Sequence, residues 1–148
     1  MTKEVLLSLR GLQIEDGEDA REVETIIPAD YYRKADSHYV LYEETIEGFQ
    51  DKVKNMLKFR DSYLEVSKKG LINVIMLFEK NKKNMTNYVT PYGNILIGID
   101  TKSILLEENE ERIRLDVEYF LDANYLHLAE CKIELEIRPR DSGLHFIQ

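Results

Sequence analysis

The sequence has no tryptophan, a single cysteine (Cys131), only three prolines, and no apolar run near the ~20 residues that a membrane-crossing helix needs. One cysteine excludes an internal disulfide, so the fold must rest on a hydrophobic core. A chain of 148 residues can supply one, since a domain of this size buries roughly 70% of its unfolded surface. The start, MTKEVLLSLRG, lacks the long apolar core and small-residue cleavage site of a secretory signal. With the lone cysteine, that predicts a cytoplasmic protein.

Signatures of cofactor and metal chemistry are missing too. There is no GxGxxG, no phosphate loop and no His-x-His pair. The histidines are His38, His127 and His145. His127 and Cys131 fall on one strand face, but four residues span roughly 13 Å, and zinc bonds of about 2.0–2.3 Å cannot bridge that. Cys131 is read as a small buried hydrophobe. No cofactor, metal ligand or catalytic residue is assigned. An acid or base role for Glu44 or His127 ranks last, because neither has a partner at a useful spacing.

Positive charge is in the minority, with 20 basic against 28 acidic residues, a net charge of −8 and a pI near 5.0. Overall charge therefore disfavours nucleic acid as a partner. The average hides an asymmetry. Between Asp51 and Lys83 nine Lys or Arg face four Asp or Glu, a local +5, which leaves −13 for the rest. Lys52, Lys54, Lys58 and Arg60 are either the wet side of one strand or a patch for an acidic protein or RNA.

What the chain has in abundance is alternation with period two. In ERIRLDVEYFLDANYLHLAECKIELEI, Ile113, Leu115, Val117, Tyr119 and Leu121 alternate with Arg112, Arg114, Asp116 and Glu118. After Asp122-Ala123-Asn124, which offers turn chemistry, Ala129, Cys131, Ile133, Leu135 and Ile137 repeat the pattern. The same reading gives strands over 3–14, 19–27 beyond an Asp-Gly turn, 30–34, 38–46, 52–60, 63–68, 71–80, 85–90 and 94–106. Pro28 is expected at a bend or edge. Only 28–34 and 104–111 leave room for a helical turn. The tail to Gln148 is expected to fray or to cover one barrel end.

Many antiparallel segments joined by short turns, each with one apolar face, predict a single all-β domain over 1–148. The expected architecture is a closed antiparallel up-and-down (meander) barrel of about 8–10 strands, since closure covers the apolar face and removes the edges.

Several polar residues fall on the inward register. In TNYVTPYGNILIGIDT the turn Thr90-Pro91-Tyr92-Gly93 accounts for Pro91 and Gly93, but not for Thr86, Tyr88 and Thr90 on one face. Thr101 follows Ile95, Ile97 and Ile99, with Gly98 on the opposite side allowing close approach. Tyr42 and Glu44 share a face with Val40. Asn55 sits between Val53 and Leu57, Tyr119 between Val117 and Leu121, and Tyr125 and His127 open the inward face of the last strand. Buried polar groups need partners. They form either a structural network or a pocket, and Tyr42, Glu44, Tyr88, Thr90, Thr101 and Tyr119 are the candidate ligand-binding residues.

The segments YYRKADSHYVLYEET, SKKG, TNYVTPYGNILIGIDT and DVEYFLDANYLHLAECKIELEI, in that order, resemble the YwiB-like family of small bacterial proteins. The Thr-x-Tyr-x-Thr-Pro-x-Gly pattern at Thr86, Tyr88, Thr90, Pro91 and Gly93 is the most specific part, and Tyr42-Glu43-Glu44 also matches. The resemblance implies a calycin-like (lipocalin-type) barrel and no activity. Where the family carries Arg-Lys-Gly, this chain has Lys68-Lys69-Gly70, so a planar guanidinium fork is replaced by a point charge. Two functions follow: a barrel that binds a small molecule, or an interaction module using the basic outer face. A homodimer through Phe120, Leu126 and Leu128 on the otherwise polar side is the oligomeric expectation.

Overall fold

The structure, a computed structural model, describes residues 3–11 and 24–140, apart from the Leu128 side chain. The Asp-Gly turn, the first half of the second predicted strand, His145 and the tail lie outside the described residues. The strands are β1 (Glu4–Arg10), β2 (Glu24–Lys34), β3 (Ser37–Thr45), β4 (Lys52–Arg60), β5 (Tyr63–Gly70), β6 (Val74–Glu79), β7 (Lys83–Thr90), β8 (Gly93–Glu108), β9 (Ile113–Ala123) and β10 (Leu126–Pro139).

All ten join one sheet in the order β6-β5-β4-β3-β2-β1-β10-β9-β8-β7. Each hairpin except β6–β7 forms a neighbouring antiparallel pair, so the chain is the expected meander. The ladder between β1 and β10, with Leu7 opposite Ile137 and Leu9 opposite Leu135, joins the two halves of the sheet. The remaining seam lies between β6 and β7. It is pinned by an isolated bridge, in which the Asn73 and Val89 amides and carbonyls exchange hydrogen bonds of 3.0 Å. Further along, the Asn84 side-chain amide donates to the Leu77 carbonyl at 3.2 Å.

The inward positions are those the alternation selects. Val5, Leu7, Val40, Leu57, Phe59, Val66, Phe78, Leu115, Val117, Ile133 and Ile137 are fully buried in one core. Outward positions are mostly charged. Gly98 faces outward beneath the Lys83–Asp122 ion pair. A Cβ there would lie 2.9 Å from Asp122 Oδ2 and 3.0 Å from Lys83 Cε, so the close approach expected at Gly98 is that of a salt bridge laid across it.

Four local expectations are corrected. First, residues 28–34 and 104–111 hold no helical turn: β2 runs through Pro28, and β8 continues to Glu108. Pro28 is tolerated because of strand geometry. The Tyr31 amide donates to Lys3 O at 2.7 Å, so odd-numbered amides of β2 face β1. Pro28 faces the other way, where the β3 ladder reaches only Asp30–Leu41. Its missing N–H therefore falls on an unpaired edge.

Second, the β9–β10 turn sits at Asn124-Tyr125, both with positive φ (51° and 69°), as a two-residue type I′ turn requires. Third, bulges interrupt β8 between Thr101 and Ser103 and β10 between His127 and Ala129. Each inserts a residue and reverses the inward face. Fourth, Ile95 is 38% exposed, unlike Ile97 and Ile99.

Gly70 ends β5 with φ +124°, and a Cβ there would lie 2.4 Å from the Lys52 carbonyl oxygen; Gly48 has φ +89° and open space around it. Gly48→Ala should therefore cost only the left-handed strain, about 1–2 kcal/mol. Gly70→Ala adds a backbone clash and should lose at least twice as much, as read from urea unfolding midpoints.

Candidate functional site

At the end where β3 and β5 finish and β4 and β6 begin, the inward register brings a charge into the barrel. Tyr42 stands opposite Asn55, and Asn55 opposite Lys68. Alternation from Leu64 and Val66 carries Lys68 inward, and its side chain is only 10% exposed. Its ammonium donates to Glu44 Oε1 and to Asn55 Oδ1, each at 2.7 Å. The Asn55 amide in turn donates to Glu44 Oε1 at 3.1 Å and to the Val53 carbonyl at 3.3 Å. Asn55 is thereby used on both ends and orients the other two.

Two tyrosines close around this group. Burial raises the pKa of Tyr42, and the Glu44 carboxylate raises it further. The same two causes, in the same order, act on half-buried Tyr88. Glu44 thus ties together Tyr42, Tyr88, Asn55 and Lys68. Neither tyrosine hydroxyl makes a hydrogen bond among the described residues, yet neither is sealed from solvent. One N–H of Lys68 and Glu44 Oε2 are also uncommitted. The mouth therefore presents two hydroxyls, an ammonium proton and a carboxylate oxygen without intramolecular partners among those residues.

Of the six predicted ligand residues, Tyr42, Glu44 and Tyr88 meet here. Thr90 does not. Its Oγ1 accepts from the Tyr92 amide at 3.1 Å and donates to the Gly93 carbonyl at 2.9 Å, so it closes the Pro91-Tyr92 turn. Thr101 and Tyr119 stand opposite one another deeper in the barrel. Tyr119 packs edge-on to Phe78 with ring centroids 5.0 Å apart. Burial raises its pKa, helped by the thiol of Cys131, which is half-buried. Thr101 is fully buried, and its hydroxyl has no partner among the described residues.

Tyr125 and His127, expected inward, are exposed. Tyr125 is a turn residue, and the β10 bulge leaves the His127 ring outside, 5.8 Å from Phe120. Phe120, on the outer surface with exposed Leu126, is also covered by the Lys102 ammonium 5.0 Å from its ring centre.

Lys52, Lys54, Lys58 and Arg60 share the outer face of β4, while the rest of the basic segment is dispersed. Lys68 turns inward, Lys83 pairs with Asp122, Lys82 lies 3.5 Å from Glu79, and Lys52 lies 3.5 Å from Glu43. Lys58 rests over the Tyr39 and Tyr63 rings, and Arg60 over Tyr63. Lys54 stays exposed between Glu43 and Lys69.

Beyond the Lys68-Lys69-Gly70 match, nothing marked Lys68 as a site residue, because lysine normally lies on a solvated face. The available signal was its place on the inward register. The same applies to His38, fully buried at the opposite end. Its Nδ1 lies 2.7 Å from the Tyr31 hydroxyl and its Nε2 3.4 Å from Glu108 Oε2, while Arg33 Nη1 donates to Glu108 Oε1 at 2.8 Å. Burial pushes Tyr31 upward, so the phenol keeps its proton, and because Nε2 faces a carboxylate, which only accepts, Nδ1 is left to accept from the Tyr31 hydroxyl. The ring N–H is then on Nε2, aimed at Glu108. These contacts strap β2 and β3 to β8 across the barrel mouth.

A family profile, the domain of unknown function DUF1934, matches residues 7–135, and the chain belongs to that family. The uncharacterized beta-barrel protein YwiB of Bacillus subtilis (strain 168) is 26% identical over 106 residues, 72% of this chain and 73% of the relative. The crystal structure of the ywiB protein from Bacillus subtilis superposes with a TM-score of 0.77 at 20% identity, over 93% of this chain and 92% of that one. At that identity the likeness is one of fold.

Two predictions follow from the buried groups. Glu44→Gln leaves the Lys68 ammonium without a counter-charge. It should cost about 1–3 kcal/mol, less than for a sealed pair because Glu44 is partly open to water. Lys68→Met should cost less, since Glu44 can then turn to solvent. Burial lowers the His38 pKa below its ordinary 6.5, against the pull of Glu108 and with a further push from Arg33. The unfolded chain therefore takes up this proton first. The contribution is complete above pH 6.5 and is lost as pH falls toward the folded-state value. The urea midpoint should fall between pH 7.5 and 5.5, and should fall less in His38→Gln.

Proposed function

We propose that the protein is a small-molecule-binding barrel whose ligand sits at the Lys68 end. The observation that carries this is an ion pair between buried Lys68 and the partly open Glu44 at the mouth of an apolar barrel, beside two tyrosine hydroxyls without partners among the described residues. A buried ion pair brings little or no net stability over apolar residues of the same volume. The uncommitted donors and the acceptor around it, by contrast, are what a polar ligand head requires, with the flanking apolar wall supplying contact area. Because ammonium and carboxylate cancel, the fitting head group is neutral or zwitterionic and both donates and accepts hydrogen bonds. Thr101, whose hydroxyl has no partner among the described residues, and Tyr119 would lie beneath such a ligand. Thr90 shapes the neighbouring turn. This reading places the protein in the cytoplasm, where Cys131 stays reduced.

Native mass spectrometry of protein purified gently from its own host should show an added small mass on the folded chain. That mass should be lost or sharply reduced in Tyr88→Phe, Tyr42→Phe and Lys68→Met variants that still fold. A bare chain mass, together with no thermal stabilisation by any member of a panel of amino acids, amides and polyols at millimolar concentration, would contradict the proposal.

A further inference from the structure

The opposite end of the barrel carries a cleft of about 750 Å³, walled by Lys3, by Tyr31, Tyr32 and Arg33 of β2, and by Glu108 and Asn109 where β8 ends. Tyr32 points outward and is 43% exposed. One face of its ring is covered by its cross-strand neighbour Tyr39, with centroids 4.7 Å apart and planes within 5°. Tyr39 is itself held by the Lys58 ammonium, 5.6 Å from its ring centre. The Tyr32 ring is thus held from one side by Tyr39, and the residue lines the cleft. A pre-positioned aromatic face stacks another planar ring at little cost in side-chain freedom.

The groups around this platform are fixed too. Arg33 is anchored through Nη1 to Glu108, which is braced by buried His38 and through it by Tyr31. A guanidinium has five N–H donors, so further ones remain for a ligand. Asn109 Oδ1 accepts from the amides of Glu111 and Arg112, both at 2.9 Å, which leaves its NH₂ to donate elsewhere. The Lys3 ammonium has no ion pair among the described residues. Donors predominate: Lys3, Arg33 and the Asn109 amide, against a Glu108 carboxylate already engaged at both oxygens. Exposed Glu110 at the rim does not reverse this.

The geometry points to a second binding site, separate from the Lys68 mouth, for a planar heteroaromatic ring with acceptor atoms on its edge and an anionic substituent. That is the chemistry of a nucleoside monophosphate. The ring would stack on Tyr32, Asn109 would meet its edge, and Lys3 and Arg33 would take the anion.

The test is a titration of the ¹⁵N-labelled full chain with AMP, and separately with inorganic phosphate, followed by amide shifts. AMP should give saturable shifts at residues 31–33 and 108–112. Phosphate alone should not. Tyr32→Leu should weaken AMP binding about tenfold or more, while Tyr32→Phe, which keeps the ring, and Lys68→Met, which alters only the other end, should leave it within about twofold. Absence of saturable shifts at these residues with millimolar AMP would overturn the inference. So would AMP binding undiminished in a folded Tyr32→Leu variant, equal shifts from phosphate alone, or shifts confined to the Tyr42 and Tyr88 end.

Discussion

A positive charge enclosed by a β-barrel is the constraint around which one end of this molecule is arranged. Desolvating an ammonium is expensive, and a lone one would shed its proton or force water inward. Lys68 keeps its charge compatible with burial by taking one oxygen from Glu44 and one from Asn55, with Asn55 also bonded to Glu44. That triangle spans three successive strands, β3, β4 and β5. It couples their register, since slipping any one by a residue would turn its member outward. The electrostatic reach of Glu44 to Tyr42 and Tyr88 then brings β7 into the same group.

The opposite end solves a similar problem with a neutral group. His38 is sealed by Tyr31, Glu108 and the stacked ring of Phe59, 4.9 Å away. Between the two ends the interior is filled by aliphatic and aromatic side chains, with buried Thr101 as a polar exception. The polar chemistry is therefore concentrated at the mouths, where strands end and side chains can meet both core and solvent. The sheet is joined into a barrel through its first and last strands, while the β6–β7 seam depends on one backbone bridge and one asparagine side chain. In a meander, consecutive strands pair cheaply because little loop entropy is lost, so a weak ladder in the middle of the chain is a departure with a local cause. The 80–82 turn is drawn onto β8, where Asn81 N and Lys82 O bond the backbone of Thr101.

Much of this was legible from alternation alone. The inward sets of β4, β9 and most of β10 follow from residues such as Val53, Leu57 and Phe59 or Ile133, Leu135 and Ile137, because a half-buried strand must repeat with period two. Tyr42, Glu44, Asn55 and Tyr88 were readable for the same reason. The bulges were not. An inserted residue at Lys102 or near Leu128 leaves no mark in composition, yet it puts the alternation on its two sides out of phase, which is why His127, just before the β10 bulge, lies outside. Lys68 and His38 were hidden by their residue types, whose burial depends on partners from strands distant in sequence. Thr90 was placed with the ligand set on its register alone, because its hydrogen bonds to its own turn were not legible in the sequence.

The most direct test of the account is the solution state of the Lys68 side chain. In ¹⁵N-edited spectra of the free protein, the Lys68 ammonium should give its own slowly exchanging N–H signal, with Overhauser contacts to the Asn55 amide protons and the Tyr42 ring. That result would place a fixed, partnered charge at the barrel mouth. An ammonium that exchanges as fast as those of the surface lysines, without contacts to Asn55 or Tyr42, would mean that Lys68 leaves the interior and that the site described here does not form.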